Sequence, residues 1–209
     1  MPEVPDAAPD PLPDPLPDPL GDDPRSMHER MLAGDLYLAD DPEIVEAHLR
    51  AVDLATAYNA TTAREDAERE RLLGELLGAV GAETRIRPPL HVDYGSRIRI
   101  GARCFVNFGL VALDVVDIVI GDDVQIGPNV QLLTPTHPLE AGRRRDKWEA
   151  AQPITIGDNV WLGGGVIVCP GVTIGANTVV GAGSVVTGDL PAGVLALGTP
   201  ARVVRELPD

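Results

Sequence analysis

The chain has 209 residues, a formal charge of −15 and a sequence pI near 4.5. That balance excludes a general nucleic-acid binder, which needs clustered Lys and Arg to neutralise phosphates; of the 17 basic residues only Lys147 is a lysine. No apolar run approaches the ~18 residues of a membrane span, so no membrane association is expected. Two cysteines without CxxC spacing exclude a metal knuckle or a disulfide framework. Cys104 and Cys169 read as small buried apolar residues. The opening residues lack the basic start and apolar stretch of a secretory signal, so a cytoplasmic protein is expected.

Residues 1–25 hold nine of the 20 prolines and seven acids against one Arg. Proline without hydrophobic mass builds no core, and like charges repel, so 1–26 is expected to be a disordered acidic tail. Met27 to Ala33 predicts a short helix ended by Gly34. Asp41-Pro42 predicts a second start, with Pro in the first turn and Glu43 near the positive dipole end. Ile44, Val45, His48, Leu49, Val52, Leu54, Ala55 and Tyr58 give it an apolar face through about Asn59. A third helix is expected from Thr62 to Gly74, capped by Thr61 or Thr62, with Leu72, Leu73, Leu76 and Leu77 as anchors. Residues 27–80 thus read as a helical cap.

From 81 onward short β segments take over, first evident at Ile86. Between Ile156 and Val186 an aliphatic residue recurs every sixth position: Ile156, Leu162, Val168, Ile174, Val180, Val186. Six fits neither a helix nor a plain strand; it fits a β-solenoid with one inward aliphatic per face. The same frame runs Ile100, Val106, Ala112, Ile118, shifts by two, and resumes at Ile120, Ile126, Leu132. Three hexads make one triangular turn of roughly 18 residues, climbing one strand spacing of about 4.8 Å. Within a β-helix domain of residues 81–207, which ends in a C-terminal extension, residues 86–200 have room for about five to six such turns. The frame breaks at 138–153, which is expected to be a loop ejected from the prism; long loops in compact repeats usually carry function. The period does not specify the hand of the coil.

Several strings resemble one family: MLAGDLY (31–37), DYGSRIRIG (93–101), THP (136–138), PITIGDNVWLGGGVIVCPGVTIG (153–175), GAGSVVTGDLP (181–191) and GTPARVVRE (198–206). Together they resemble the maltose/galactoside O-acetyltransferase group of the hexapeptide acyltransferases. The resemblance implies an all-β solenoid, a left-handed parallel β-helix with a small N-terminal helical cap. It also implies a homotrimer with active sites between subunits, acetyl-CoA as co-substrate, a sugar-like hydroxyl as acceptor, and direct transfer without a metal.

Acyl transfer to a hydroxyl needs a base, donors for the developing oxyanion, and two substrates held within reach. Of the histidines at 28, 48, 91 and 137, only His137 falls within the repeats as read from the sequence, where the frame gives way to the loop. An imidazole titrates near neutrality, and the THP match assigns His137 the base role. The resemblance gives Glu149 an orienting role toward it; the other reading is a solvated loop charge. Asn107 matches the family's site asparagine, although a corner Asn equally well satisfies backbone groups. Asp40, Asp93 and Asp114 match acceptor-pocket positions, with a helix-start charge as the alternative for Asp40. On the donor side the match gives Trp161 as a wall of the site, or else an indole packed between coils. Gly164 matches the backbone donor to the thioester oxygen, Ala182 and Thr187 the CoA groove, and Arg202 and Arg205 the phosphate contacts; surface arginines are the alternative. Two other readings stay open: a trimeric scaffold without chemistry, and an acetyltransferase for an antibiotic or amino-acid hydroxyl. A γ-type carbonic anhydrase needs three converging histidines, which one repeat histidine does not supply.

Overall fold

The computed structural model describes residue 19 and residues 21–208. The expected disordered tail therefore lies mostly outside the described residues. Its last part belongs to the cap. Ser26 closes a capping box on helix α1 (Met27–Leu32), its Oγ accepting from Glu29 N–H while its own N–H donates to the Glu29 carboxylate. Asp23 pairs with Arg25, and Arg25 reaches Asp35 at 2.8 Å.

Helix α2 (Pro42–Asn59) starts as expected, with Asp41 accepting from Glu43 N–H and Pro42 in the first turn. Its buried stripe is narrower than its apolar face. Ile44, Ala51, Ala55 and Tyr58 are buried, whereas Val45, Leu49 and Val52 are 41–52 % exposed. Helix α3 (Asp66–Leu76) starts later than the Thr61/Thr62 cap predicts. The Glu65 carboxylate accepts from Thr62 N–H, and this turn takes up the residues that would have formed the first helical turn. The cap docks through polar contacts as well as packing: Tyr58 Oη–H donates to Ile86 O, and Asn59 bonds both the N–H and the carbonyl of Leu90.

Beyond α3 the chain winds into a parallel β-helix with three faces. Face 1 stacks Ala79–Val80, Ile98–Ile100, Ile118–Ile120, Ile154–Ile156 and Thr173–Ile174. Face 2 stacks Arg85–Ile86, Phe105–Val106, Gln125–Ile126, Trp161–Leu162 and Val179–Val180, then the closing hairpin Val194–Gly198 and Ala201–Glu206. Face 3 stacks Leu90–Val92, Leu110–Leu113, Gln131–Leu133, Ile167–Val168 and Val185–Val186. The hexad aliphatics all point inward; from Ile156 to Val186 none exceeds 1 % exposure. Cys104 is buried and Cys169 half-buried, as small apolar residues of the prism.

Two features depart from the sequence reading. First, the turns are not all 18 residues. Arg85 pairs with Phe105 and Phe105 with Gln125, steps of 20, while Trp161 pairs with Val179, a step of 18. The early turns spend their extra residues at the corner between faces 3 and 1, where Asp93-Tyr94 and Asp114-Val115 lie. The first turn also begins at Ala79 and contains His91, on an exposed position of Leu90–Val92, so the solenoid holds a second histidine. Second, 138–153 is not a free excursion. Pro135–Thr136 pairs antiparallel with Ala150–Ala151, a short helix α4 (Ala141–Arg145) forms the tip, and Trp148 is 4 % exposed. Arg144 ties the tip by donating to the carbonyls of Pro138 and Leu139.

Candidate functional site

The corner between faces 3 and 1 is built on a buried acid. The Asp114 carboxylate accepts the backbone N–H groups of Asp93 (3.1 Å), Tyr94 (2.9 Å) and Arg97 (3.1 Å), and the residue is 0 % exposed. Burial pushes its pKa above the usual carboxylate range, and the backbone N–H groups oppose that shift. Asp114 thus lies beneath the site, shaping the 93–97 turn rather than lining the cavity above it. One turn up, Thr134 Oγ–H donates to Leu113 O at 2.7 Å and stacks the next corner on this one.

Helix α2, this corner and the base of the 138–153 segment enclose a cavity of about 390 Å³. Its polar groups are Asp93, His137, Glu149, Tyr37, Tyr94 and His48. Its alkyl walls are Ile44, Val45, Leu49, Leu113, Val115 and Pro135. His48 Nδ1–H donates to Asp93 O at 3.0 Å and its ring meets Tyr94 edge-on, so α2 is fastened to the same turn that presents Asp93. Burial, then the neighbouring Asp114 charge, pushes the Asp93 carboxyl up to about 6, against an opposing pull from His48. His137 is exposed at the cavity rim, where the frame gives way to the loop. Glu149 lines the same cavity and accepts from Tyr37 Oη–H at 2.8 Å. Three expected residues, His137, Glu149 and Asp93, are therefore brought together. Asp40 is exposed in the turn before α2, and its neighbour Ala39 is the residue that lines the cavity.

A second group lies on face 2 and on the corner between faces 2 and 3. Asn107 Oδ1 accepts from Phe108 N–H at 2.9 Å and from Arg87 Nη1 at 3.4 Å. The Arg87 guanidinium lies over the rings of Phe105 (5.0 Å) and Phe108 (4.9 Å). Gly164 and Ala182 occupy the same corner on later turns, next to Gly163 and Gly181, whose N–H groups join the turns above. Trp161 stands outward on face 2, 55 % exposed, between Gln125 and Val179. It is not packed between coils. Thr187 lies instead on the corner after face 3, exposed.

Arg202 and Arg205 are not on a helix, where a spacing of three would align them. They sit on Ala201–Glu206, where alternation would send them to opposite faces. A register shift corrects this: Arg202 pairs with Leu197 and Arg205 with Leu195, with a bulge between. By register both residues therefore fall on the outward side of the sheet that carries Trp161. Along one row the order is Trp161, Val179, Leu195, Arg205. Three strand spacings, roughly 14 Å, separate the indole from the arginine.

Sequence reading gave no role to Tyr37 or His48 and did not anticipate the alkyl walls. Tyr37 was visible within MLAGDLY, but nothing local pairs it with a residue 112 positions away. Among the described residues no group of three or more His, Cys, Asp or Glu is arranged to hold a metal ion, and no helix is long and apolar enough to cross a membrane.

Residues 30–81 match the maltose acetyltransferase hexapeptide capping motif, and residues 153–188 match the bacterial transferase hexapeptide with six repeats. Nodulation protein L of Rhizobium leguminosarum bv. viciae is 50 % identical over 180 residues, covering 86 % of this chain and 94 % of that protein. The chain belongs to the maltose/galactoside O-acetyltransferase group of the hexapeptide-repeat acyltransferases. Within this group, the galactoside O-acetyltransferase of Escherichia coli K12 is 42 % identical, covering 88 % of this chain and 90 % of the relative. A hexapeptide-repeat acetyltransferase of Vibrio cholerae, solved with acetyl coenzyme A, superposes with a TM-score of 0.83 at 42 % identity, covering 88 % of this chain and all of the other. The fold expected from the sequence, a parallel β-helix under a helical cap, is that of its acetyltransferase relatives.

Proposed function

We propose that this acetyltransferase moves an acetyl group from acetyl-CoA to a hydroxyl of a sugar or sugar-like acceptor, with His137 as general base. The observation that carries this reading is the shared cavity of His137, Asp93 and Glu149. A neutral imidazole takes the hydroxyl proton as the oxygen attacks the thioester carbon. Backbone N–H groups at the Gly164 corner are the candidates to meet the oxyanion. Collapse breaks the C–S bond, and the imidazolium returns its proton to the departing thiolate. Asp93 serves as a hydrogen-bond acceptor for acceptor hydroxyls, and Asp114 acts through Asp93 by fixing its turn.

The outward row of face 2 fits a long anionic thioester. Trp161 offers an apolar wall to an extended arm, and Arg202 and Arg205 offer two forks to phosphate oxygens at its far end. On a chain of net charge −15 such a polyanion needs a local cationic site.

Asn107 supports a homotrimer in this reading. It lies at the other end of the Leu110–Leu113 strand from Asp114, roughly 20 Å along the chain. Asn107 of one subunit meets His137 of another only if neighbouring prisms place these two corners side by side. Cytoplasmic location accords with the same reading. The test is acceptor-dependent thiol release from acetyl-CoA across a sugar panel. Wild type is expected to release thiol and His137→Ala to lose 10²–10⁴-fold in turnover, as for a removed general base. Wild-type-like release by His137→Ala removes the assignment, and release by neither protein, together with failure to bind CoA, favours a scaffold.

A further inference from the structure

We propose that Tyr37 is a positioning residue, through which the cap fixes the Glu149 carboxylate at the cavity that His137 also lines. The inference rests on the reaction proposed above and adds to it a residue outside the prism and the loop.

Four observations converge. Tyr37 and Glu149 pair as an antiparallel bridge, Tyr37 N–H donating to Glu149 O at 2.9 Å and Glu149 N–H to Tyr37 O at 3.0 Å. The Tyr37 hydroxyl donates to Glu149 Oε2 at 2.8 Å. Tyr37 is 1 % exposed, and burial first, then the hydrogen bond to Glu149, pushes its hydroxyl above the ordinary phenol range, so it remains a donor at working pH. Finally, Gly34 sits at φ 76° with Ala151 O 2.9 Å from where a Cβ would stand, so the cap turn and the 149–151 segment approach too closely for a larger residue.

The physical consequence follows from side-chain freedom. A glutamate at the base of a loop samples several rotamers, and a base partner is useful only in one orientation. The backbone bridge sets the register of Glu149, and the phenol holds one carboxylate oxygen by a charge-assisted bond. The second oxygen stays available to the cavity. Docking of the cap therefore supplies an oriented carboxylate, which neither the prism nor the loop orients alone.

The test compares Tyr37→Phe, Glu149→Gln and the double variant, measuring kcat and KM for acetyl-CoA with a sugar that wild type acetylates. Tyr37→Phe keeps the ring and its packing. It is expected to lower kcat about tenfold, the worth of one hydrogen bond to a charged group, with KM for acetyl-CoA unchanged. In the Glu149→Gln background the same change is expected to add no further loss. Glu149→Asp, which keeps the charge but withdraws it from the phenol, is expected to match Tyr37→Phe and serves if that variant folds poorly. Wild-type kcat in Tyr37→Phe, or an equal loss in both backgrounds, overturns the proposal. His137→Ala runs alongside: if it retains activity, the reaction assignment fails, whereas if it is inactive and Tyr37→Phe is not impaired, only the role of Tyr37 fails.

Discussion

The prism from Ile154 to Val186 and the junction where cap, corner and loop meet are built on opposite rules. In the prism every hexad position from Ile156 to Val186 is a buried aliphatic, the steps from Trp161 to Val179 and from Ile167 to Val185 are 18 residues, and the hydrogen bonds run from turn to turn. At the junction the early turns are longer, a carboxylate is buried, Asp93, His137 and Glu149 line a cavity together, and the key pairing spans 112 residues. A repeating lattice of small contacts supplies rigidity, and the proposed chemistry falls where the lattice is interrupted. This matches the general expectation that local rules are broken at functional sites and compensated elsewhere.

That contrast is open to direct challenge, beginning with the largest effect. His137→Ala is expected to cost 10²–10⁴-fold in kcat with an unchanged melting curve; a lost fold in place of lost turnover would make the junction part of the scaffold. Leu162→Ala, at 0 % exposure, is expected to do the reverse. Unfolding in denaturant should reveal a loss of about 2–5 kcal/mol while kcat of the folded fraction is retained. Arg202→Ala and Arg205→Ala are expected to raise KM for acetyl-CoA about tenfold each, an effect that titration of CoA binding at two salt concentrations will separate from general charge loss. If only one of them matters, the bulge does not align the pair.

The smallest effect concerns Asp93. Its carboxyl titrates near 6 in the folded chain, above its ordinary value of 3.8, because burial and Asp114 disfavour its charge. A raised carboxyl means that the folded state holds the proton more tightly than the unfolded state. Its contribution to stability is therefore full below about pH 4 and is lost as pH rises through about 6. Asp93→Asn is expected to flatten stability over this window and to gain about 1 kcal/mol at pH 7, with weaker acceptor binding. Denaturant unfolding at pH 4.5 and pH 7 checks the sign; a steeper fall in the variant contradicts it.

Much of this architecture was legible in the chain. The hexads, the Asp41-Pro42 helix start and the break at Pro138 each depend on neighbours in sequence. His137 stood out because a titratable ring interrupts an aliphatic frame. Other residues resisted such reading. Asp114 matches an acceptor-pocket position by motif, yet three backbone donors take its oxygens inside the corner. Val45, Leu49 and Val52 read as buried helix face, yet they are 41–52 % exposed, and two of them instead border the cavity. His91 was missed because it faces outward on a turn whose inward residues were not yet in a recognisable frame.

What the sequence determined by itself is the prism, since a period of six forces one aliphatic per face and turn-to-turn hydrogen bonding does the rest. What only the tertiary structure decided is the site: which acid is buried, which tyrosine meets Glu149, and on which side of a strand two arginines emerge. The physical reason is range. Periodicity is a property of adjacent residues, whereas a cavity wall, a two-residue lengthening of a turn and a β-bulge acquire meaning only through partners that the chain meets after folding.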